Sequence, residues 1–571
     1  MSKSLIVLGC SATKLASPGE LTAISRYDGP FYRVLRSYLR DYRWPASLSV
    51  AVLSAKFGVI GGLTPIEDYD QRMTAARAET LNPHVTAEVQ KLLPEHGRID
   101  LVMGKDYLNS IDFSTFGRAS KRIHHAEGGI GYKLGHLYTL LHELPAVKRT
   151  YPRVRRADRL LYFLPDWDDF VDRDFDFTRD KFSSSRRSER NEVHLSALMK
   201  PQRLCDGILV SLAQNLGSKG LLKRFNSVAD AISPRSVRSH FGLANDQVAF
   251  GDCGAFSYIN EKKPRLTAEQ AVSLYELYDF DFGASVDHIP AERLVIEGRS
   301  VKTTIAERKK RLAITQANAA TFITVHRSRG AKFIPVGVIQ GITVPDYVTA
   351  INDYCDMGYE HIALGGLVPK SDTEVKTIVE SVTMALKRSN RRPWLHLFGI
   401  YRPLLQELFK NLGISSFDSA TYFRKAWLRS DQNYLANDGN WYAAIRVPPT
   451  SDPRTLMRLQ ESGLKDNEIK LLEKQAMSSL RKYARRAVGL ERCLEDVLAY
   501  DALLERAEDN ERSAAQYRKT LESRPWEKCG CTVCTDIGIN GLIFRGLNRN
   551  KRRGAHNTLQ LFTSIAQGPK C

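Results

Sequence analysis

The sequence predicts an α/β protein in which a (β/α)8 TIM barrel follows a separate small α/β domain and leads into a cysteine-bearing C-terminal subdomain. Three observations predict it. At 571 residues the chain exceeds what one core of ordinary size can bury, about 250–300 residues. Eight short apolar runs recur between about 205 and 440 with helical stretches between them, which is the count a (β/α)8 barrel needs. Three cysteines crowd into the six residues 529–534 near the C-terminus, a spacing that suits a metal site.

The first α/β unit, 1–150, rests on strand-like runs at 5–8, 48–54 and 99–103 that alternate with helical stretches such as 31–42 and 87–93. A polar, Arg-rich stretch follows, ending in Ser183-Ser184-Ser185-Arg186-Arg187-Ser188-Glu189-Arg190. Such a composition shift marks a linker or insertion, placed at 151–204. The barrel, 205–450, has its expected strands at 207–212, 248–251, 282–286, 322–325, 334–339, 362–364, 395–400 and 414–417. A charged helical connection, 451–524, then leads to the cysteine subdomain, 525–571.

Composition excludes some classes. With 43% hydrophobic residues, 23 Tyr and 23 Phe, the chain is too apolar and aromatic for a disordered polymer. Nothing approaches the ~18 consecutive apolar residues that span a bilayer, and the first apolar run breaks at Gly9 without a cleavage pattern. A soluble, cytoplasmic protein with no membrane partner is expected. Five of the nine cysteines are scattered, which fits a reducing compartment and not a disulfide framework. Lys and Arg outnumber Asp and Glu by 83 to 64, so the charge of +19 favours phosphate contact. Basic clusters stand at Arg153–Arg156, Arg308–Arg311, Lys387–Arg392 and Arg549–Arg553. Such clusters are solvated faces or a nucleic-acid footprint.

Cys529, Cys531 and Cys534, with His556 after them, make a Cys3His set. Four such ligands close a tetrahedral zinc site and leave no position for a catalytic water, so a structural Zn2+ is expected. Three reduced surface thiols are the alternative. Three carboxylates follow expected strands: Asp252, Asp287 and Asp418. A single Asp there also serves as a helix cap or turn. As a set at a barrel mouth they suit chemistry at an anomeric carbon, where one carboxylate attacks and another moves a proton.

These residues carry a family resemblance from about 205 to 571. Asp252-Cys253-Gly254-Ala255-Phe256 resembles the Asp-Ser-Gly-Gly-Phe signature of the queuine/archaeosine tRNA-guanine transglycosylases. Gly337-Val338-Ile339-Gln340-Gly341 resembles their Gly-Ile-Val-Gln-Gly, and Leu364-Gly365-Gly366-Leu367 their Val-Gly-Gly-Leu. Phe417-Asp418 matches the nucleophile motif, and the cysteines with His556-Asn557 match the zinc motif, at a slightly shorter spacing. The resemblance implies a glycosyltransferase of the pentosyl-transferring kind. Asp418 would be the nucleophile at C1′ and Asp252 the general acid/base. Asp287, Gln340 and the backbone at Gly365 and Gly366 would bond the edge of the base, and Phe256 would stack on its face.

The family pattern breaks after the nucleophile. Where tRNA enzymes carry Cys-Val-Met/Leu-Pro-Thr-Arg, this chain has Ser419-Ala420-Thr421-Tyr422-Phe423-Arg424, and Ser257 stands where a Gln is usual. With the basic clusters and the N-terminal domain, this makes the chain look more like the Dpd-type DNA-guanine transglycosylases of bacteria and phages. These insert a 7-deazaguanine base such as preQ0 into DNA, in a bacterial cell or phage-infected host. The alternatives are a tRNA enzyme and an inactive nucleic-acid-binding relative. Accessory proteins that open the duplex and the oligomeric state are left open. Cys10-Ser11-Ala12-Thr13-Lys14, Tyr27-Asp28-Gly29-Pro30-Phe31, Leu53-Ser54-Ala55-Lys56-Phe57-Gly58 and Asp68-Tyr69-Asp70 resemble an uncharacterised family of small α/β domains, the DUF6884 type, distantly similar to YaaA-like proteins.

Overall fold

Unbroken runs of Val, Ile and Leu suit strands covered on both faces, and such runs form a parallel barrel and a mostly parallel N-terminal sheet. The computed structural model describes residues 3–16, 19–149, 159–166, 169–184, 192–215, 227–234, 236–428, 430–504 and 507–567. The chain falls into two compact units. One is Met1–Val154, Val210–His240 and Val248–His396; the other is Arg155–Leu209, Phe241–Gln247 and Leu397–Cys571.

The N-terminal sheet contains β1 (Lys3–Gly9), β2 (Leu48–Ser54), β3 (Gly58–Gly61), β4 (His96–Val102) and β5 (Ile123–His125), in the order β3-β2-β1-β4-β5. β1 pairs in parallel with β2 and β4, and β5 with β4, while β3 turns back antiparallel from β2. Its helices include α1 (Pro30–Asp41), α2 (Ala75–Leu92) and α3 (Ile130–Glu143). Leu81, Val85, Val89 and Leu92 form one face of α2 and pack on Leu5, Val7, Leu53, Ile99 and Leu101. α2 starts earlier than the helix expected at 87–93, because Thr74 caps it and Pro83 is held inside it.

The barrel strands are β6 (Leu161–Pro165), β7 (Gly207–Ser211), β8 (Val248–Asp252), β9 (Phe282–Ala284), β10 (Ile334–Ile339), β11 (His361–Leu364), β12 (Trp394–Leu397) and β13 (Ser416–Asp418). They close in chain order from β7 to β13, with β6 completing the ring. Parallel register places Phe163 beside Gly207, Phe250 beside Phe282, Gly337 beside Ile362 and Phe417 beside Tyr162.

Two strand expectations are corrected. Residues 322–325 are helical, inside α5 (Ile305–Arg329), where Ala319, Phe322 and Ile323 form the buried stripe at helical spacing. Phe322 followed by three β-branched residues cannot tell a strand from a buried turn of helix. The eighth strand is instead β6, within the stretch expected to be a linker. The Arg153–Arg156 cluster and the Ser/Arg residues 185–190 lie outside the described residues.

α4 (Ala268–Leu277), α5, α6 (Val344–Asp356) and α7 (Asp372–Arg388) follow β8 to β11 in turn. Tyr275 of α4 lies directly on the sheet: a side chain at Gly251 or Gly283 would overlap its ring, and its hydroxyl donates to the Ala284 carbonyl at 3.0 Å. After the barrel come α8 (Pro453–Gln460), α9 (Asp466–Ala484), α10 (Leu490–Asp501), α11 (Ala507–Ser523) and α12 (Gly546–Gln567). No helix among the described residues is long and apolar enough to cross a membrane.

The basic cluster at Arg549–Arg553 is corrected as a phosphate-facing patch. Arg549, Arg552 and Arg553 on α12 are at most 1% exposed. Arg553 donates to the carbonyls of Ala426, Gly541 and Ile543, and Arg552 to Asp536 and the carbonyls of Asp172 and Arg173. A guanidinium with five fixed donors is suited to gathering loop carbonyls in this way.

Candidate active site and metal centre

Parallel barrel strands carry their reactive side chains at their C-terminal ends, and the sequence-derived carboxylates stand there. Asp252 is the last residue of β8 and only half-buried; its Oδ2 accepts from the Gly254 N–H at 3.0 Å. Gly254 is required at this turn. Its φ is +85°, and any side chain would overlap Ser211 and Ala213. The turn then presents Phe256, whose ring is 57% exposed.

Behind Asp252 lies a buried polar network. Cys253 Sγ donates to Asp287 Oδ1 at 2.9 Å, and Gln340 Nε2, one residue past β10, donates to Asp287 Oδ2 at 2.6 Å. The Tyr258 hydroxyl is within reach of both Cys253 Sγ, at 3.0 Å, and the Asp287 carbonyl, at 2.9 Å. Burial pushes the Asp287 carboxyl above its ordinary 3.8, against the hydrogen bonds from Cys253 and Gln340. Burial, then the charges of Asp287 and Asp252, push the Cys253 thiol well up, so it stays a neutral donor.

Gln340 Oε1 is buried with no partner among the described residues. The amide can approach because Gly365 and Gly366 have no side chains; a Cβ at either would strike it. The Gly365 N–H is already bonded to the Ile339 carbonyl at 2.9 Å, and its carbonyl accepts from the Tyr347 hydroxyl at 2.8 Å. The Gly365 N–H is thus occupied within the fold, while its carbonyl keeps one lone pair. Sequence reasoning missed Tyr258 and Tyr347, which carry no spacing signal of their own.

In the other unit Asp418 ends β13 at 4% exposure, and its Oδ1 accepts from the Gly399 N–H at 2.7 Å. Tyr162 of β6 donates to the Ser419 carbonyl at 2.8 Å and packs against Phe417, ring centroids 5.4 Å apart. Asp418 thus sits on a fixed backbone, with one carboxylate oxygen held by a main-chain donor.

The four residues of the Cys3His set come together, all buried, with their ligand atoms within 4.8 Å of one another. His556 Nδ1 is 3.6, 3.4 and 3.5 Å from the sulfurs of Cys529, Cys531 and Cys534. Ligands of one tetrahedral ion, at about 2.0–2.3 Å from it, stand about 3.4–3.8 Å apart, so the set fits a metal ion. His556 Nε2 is 2.7 Å from the Leu435 carbonyl. That bond puts the ring proton on Nε2 and leaves Nδ1 as the ligand. Tyr434 stacks on the His556 ring at 4.0 Å with its hydroxyl 3.1 Å from Cys534 Sγ, a further partner the sequence did not reveal. Asn557 fixes the same segment, accepting from the Leu435 N–H at 2.9 Å and donating to the Asn433 carbonyl at 2.8 Å.

A closed parallel barrel with carboxylates on its strand ends and a Cys3His knot beyond it defines the class of the guanine transglycosylases. Over 415 residues the chain is 35% identical to a DNA-guanine transglycosylase of Salmonella montevideo, covering 71% of this chain and 97% of that one. The chain belongs to the DNA-guanine transglycosylase family. It is also 26% identical over 337 residues to a tRNA-guanine(15) transglycosylase of Thermococcus onnurineus (strain NA1), covering 49% of this chain and 56% of that protein. A tRNA-guanine(15) transglycosylase of Thermococcus kodakarensis is 25% identical over 310 residues, with 52% of its length covered. The chain therefore spans about half the length of these archaeal relatives. No family model matches the chain.

Proposed function

We propose that this protein exchanges guanine in DNA for a 7-deazaguanine base of the preQ0 type. The observation that carries the reading is the 35% identity to a DNA-guanine transglycosylase across nearly the whole of that relative. The buried Asp287–Gln340 pair, with its spare amide oxygen, supports it as a device for reading the edge of a purine-like base.

In this mechanism the Asp418 carboxylate attacks C1′ of the target deoxynucleoside while the C1′–N9 bond breaks. Asp252 gives its proton to the departing guanine, and a glycosyl ester on Asp418 remains. The incoming 7-deazaguanine then gives its N9 proton to Asp252, its N9 bonds C1′, and the ester bond to Asp418 breaks. No ATP is consumed, because one glycosidic bond replaces another. The Gly399 N–H holds one oxygen of Asp418 and so fixes the carboxylate that attacks. Gln340 and the Gly366 backbone bond the base edge, and Phe256 covers its face.

The Cys3His set would hold a structural Zn2+. With all four positions filled by protein ligands it joins the 529–534 loop to α12 and takes no part in the exchange.

Purified protein is incubated with labelled preQ0 or guanine, with plasmid DNA and bulk tRNA in parallel, and the nucleosides are identified by mass spectrometry. Label in DNA is the expected outcome. Label in tRNA alone would replace this reading with the tRNA one, and label in neither would mark an inactive binding protein or a missing partner.

A further inference from the structure

One feature of the first unit belongs to no part of the exchange site. A half-open cavity of about 40 Å³ lies between α1, the end of α4 and the end of α5, and its lining includes Arg36, Arg40, Arg329, Glu276, Ser25 and Ser273. α4 and α5 end here, just before their chains enter β9 and β10, so this is the side of the barrel opposite the strand ends that carry Asp252 and Asp287.

The charges in the cavity do not balance. Arg329 Nε meets Glu276 Oε2 at 3.2 Å, but its Nη1 is buried with no partner among the described residues. Arg36 is tied to the carbonyls of Ile24 and Tyr27 and to Asp28, which it shares with Arg33. Arg40 bonds only the Ser37 hydroxyl, at 3.0 Å, and has no carboxylate partner among the described residues. Three guanidinium groups thus face Glu276 and a shared Asp28. Burial, then the charge of Arg329, push the Arg36 guanidinium below its ordinary value. A buried guanidinium nitrogen without an acceptor is costly, so such groups are found with a partner.

We propose that this cavity is an anion site that takes a single tetrahedral oxyanion: a phosphate group, held between Arg36, Arg40 and Arg329. The size agrees, since each water held in such a cavity needs about 10–15 Å³, and room for a few waters is room for one such group. The Ser25 and Ser273 hydroxyls supply neutral donors beside it, and guanidinium forks match phosphate oxygens in pairs. The bound group would tie α1 of the N-terminal domain to α4 and α5 of the barrel. The phosphate could be free in solution or belong to a nucleotide or a DNA backbone; the recognising chemistry is the same.

The test is titration of the full chain with inorganic phosphate at constant ionic strength, followed by calorimetry and by thermal unfolding. The expected result is saturable binding and a Tm that rises to a plateau, with neither effect from chloride. Arg40→Gln and Arg329→Gln should each weaken phosphate binding about tenfold or more, the loss of one charge-assisted hydrogen bond. Should Arg329→Gln fail to fold, Arg40→Gln decides, because Arg40 holds only a surface serine. Competition by dGMP or by a short single-stranded DNA then assigns the source, and competition by neither leaves the free ion. A response no greater than that to chloride, or one retained undiminished in Arg40→Gln, would overturn the proposal.

Discussion

At the scale of single residues, two carboxylates separate chemistry from support. Asn in place of Asp418 keeps an oxygen to accept the 2.7 Å bond from the Gly399 N–H but has no charge for the proposed attack on C1′. Asp418→Asn should therefore lower base exchange about 10³-fold or more while metal content and Tm stay unchanged; full activity would remove Asp418 from the mechanism. Asp287 makes a prediction about pH. Its folded value lies above the ordinary 3.8, so the folded state binds its proton more tightly than the unfolded state does. The stability this contributes is fully present below 3.8 and is lost as pH rises through the folded value. Denaturant unfolding from pH 4 upward should show this loss in the parent chain, and Asp287→Asn should flatten that part of the curve. The same Asn substitution should also raise KM for the incoming base more than it lowers kcat, since it alters an edge contact and leaves Asp252 and Asp418 in place.

At the scale of elements, the Cys3His cluster brings the 529–534 loop and α12 together in an arrangement that could hold a metal ion. His556→Ala removes one ligand, the bond to the Leu435 carbonyl and the stacking of Tyr434 together. Elemental analysis should find the variant short of metal, and its Tm should fall as far as that of the parent chain treated with a strong chelator; a chelator-insensitive parent would argue against a structural ion. This knot was legible in the sequence because its ligand types and spacing are themselves the chemistry. Seven of the eight barrel strands were legible as apolar runs. The eighth was not: β6 follows a polar, Arg-rich stretch, while 322–325 offered a more strand-like composition than the helix it belongs to. Arg549, Arg552 and Arg553 show a different limit. Charge in a sequence does not say which way a side chain points, and these three face inward to carbonyls of distant loops. The Tyr258 and Tyr347 contacts were equally hidden, since a hydroxyl finds its partner only once the strands are placed.

At the scale of the whole molecule, the first unit joins a five-stranded N-terminal sheet to barrel strands, and an ion-pair cluster fastens the join. Asp279 lies between α4 and β9 in a left-handed conformation, φ 67°, at 6% exposure. It receives Arg149 at 2.8 Å as well as Arg43, both from the N-terminal domain. Arg149 also donates to the carbonyls of Leu39 and Glu276, so one guanidinium bridges α1 and α4. Removing this acid takes from Arg43 and Arg149 the carboxylate they share at a site with little solvent, a change that costs about 3–5 kcal/mol in buried pairs. Asn tolerates the left-handed backbone as well as Asp does, so Asp279→Asn tests the charge and not the turn. The expected outcome is a loss at the lower end of that range, because Arg43 keeps some contact with water. It should fall unevenly: amide exchange should quicken in β1 and β2 while β9 and β10 keep their protection. Equal loss in both sheets would mean that the N-terminal domain and the barrel unfold as one cooperative body, with Asp279 only one of many ties. Base exchange measured below the new transition should be unaffected, since Asp279 lies at the barrel end opposite Asp252.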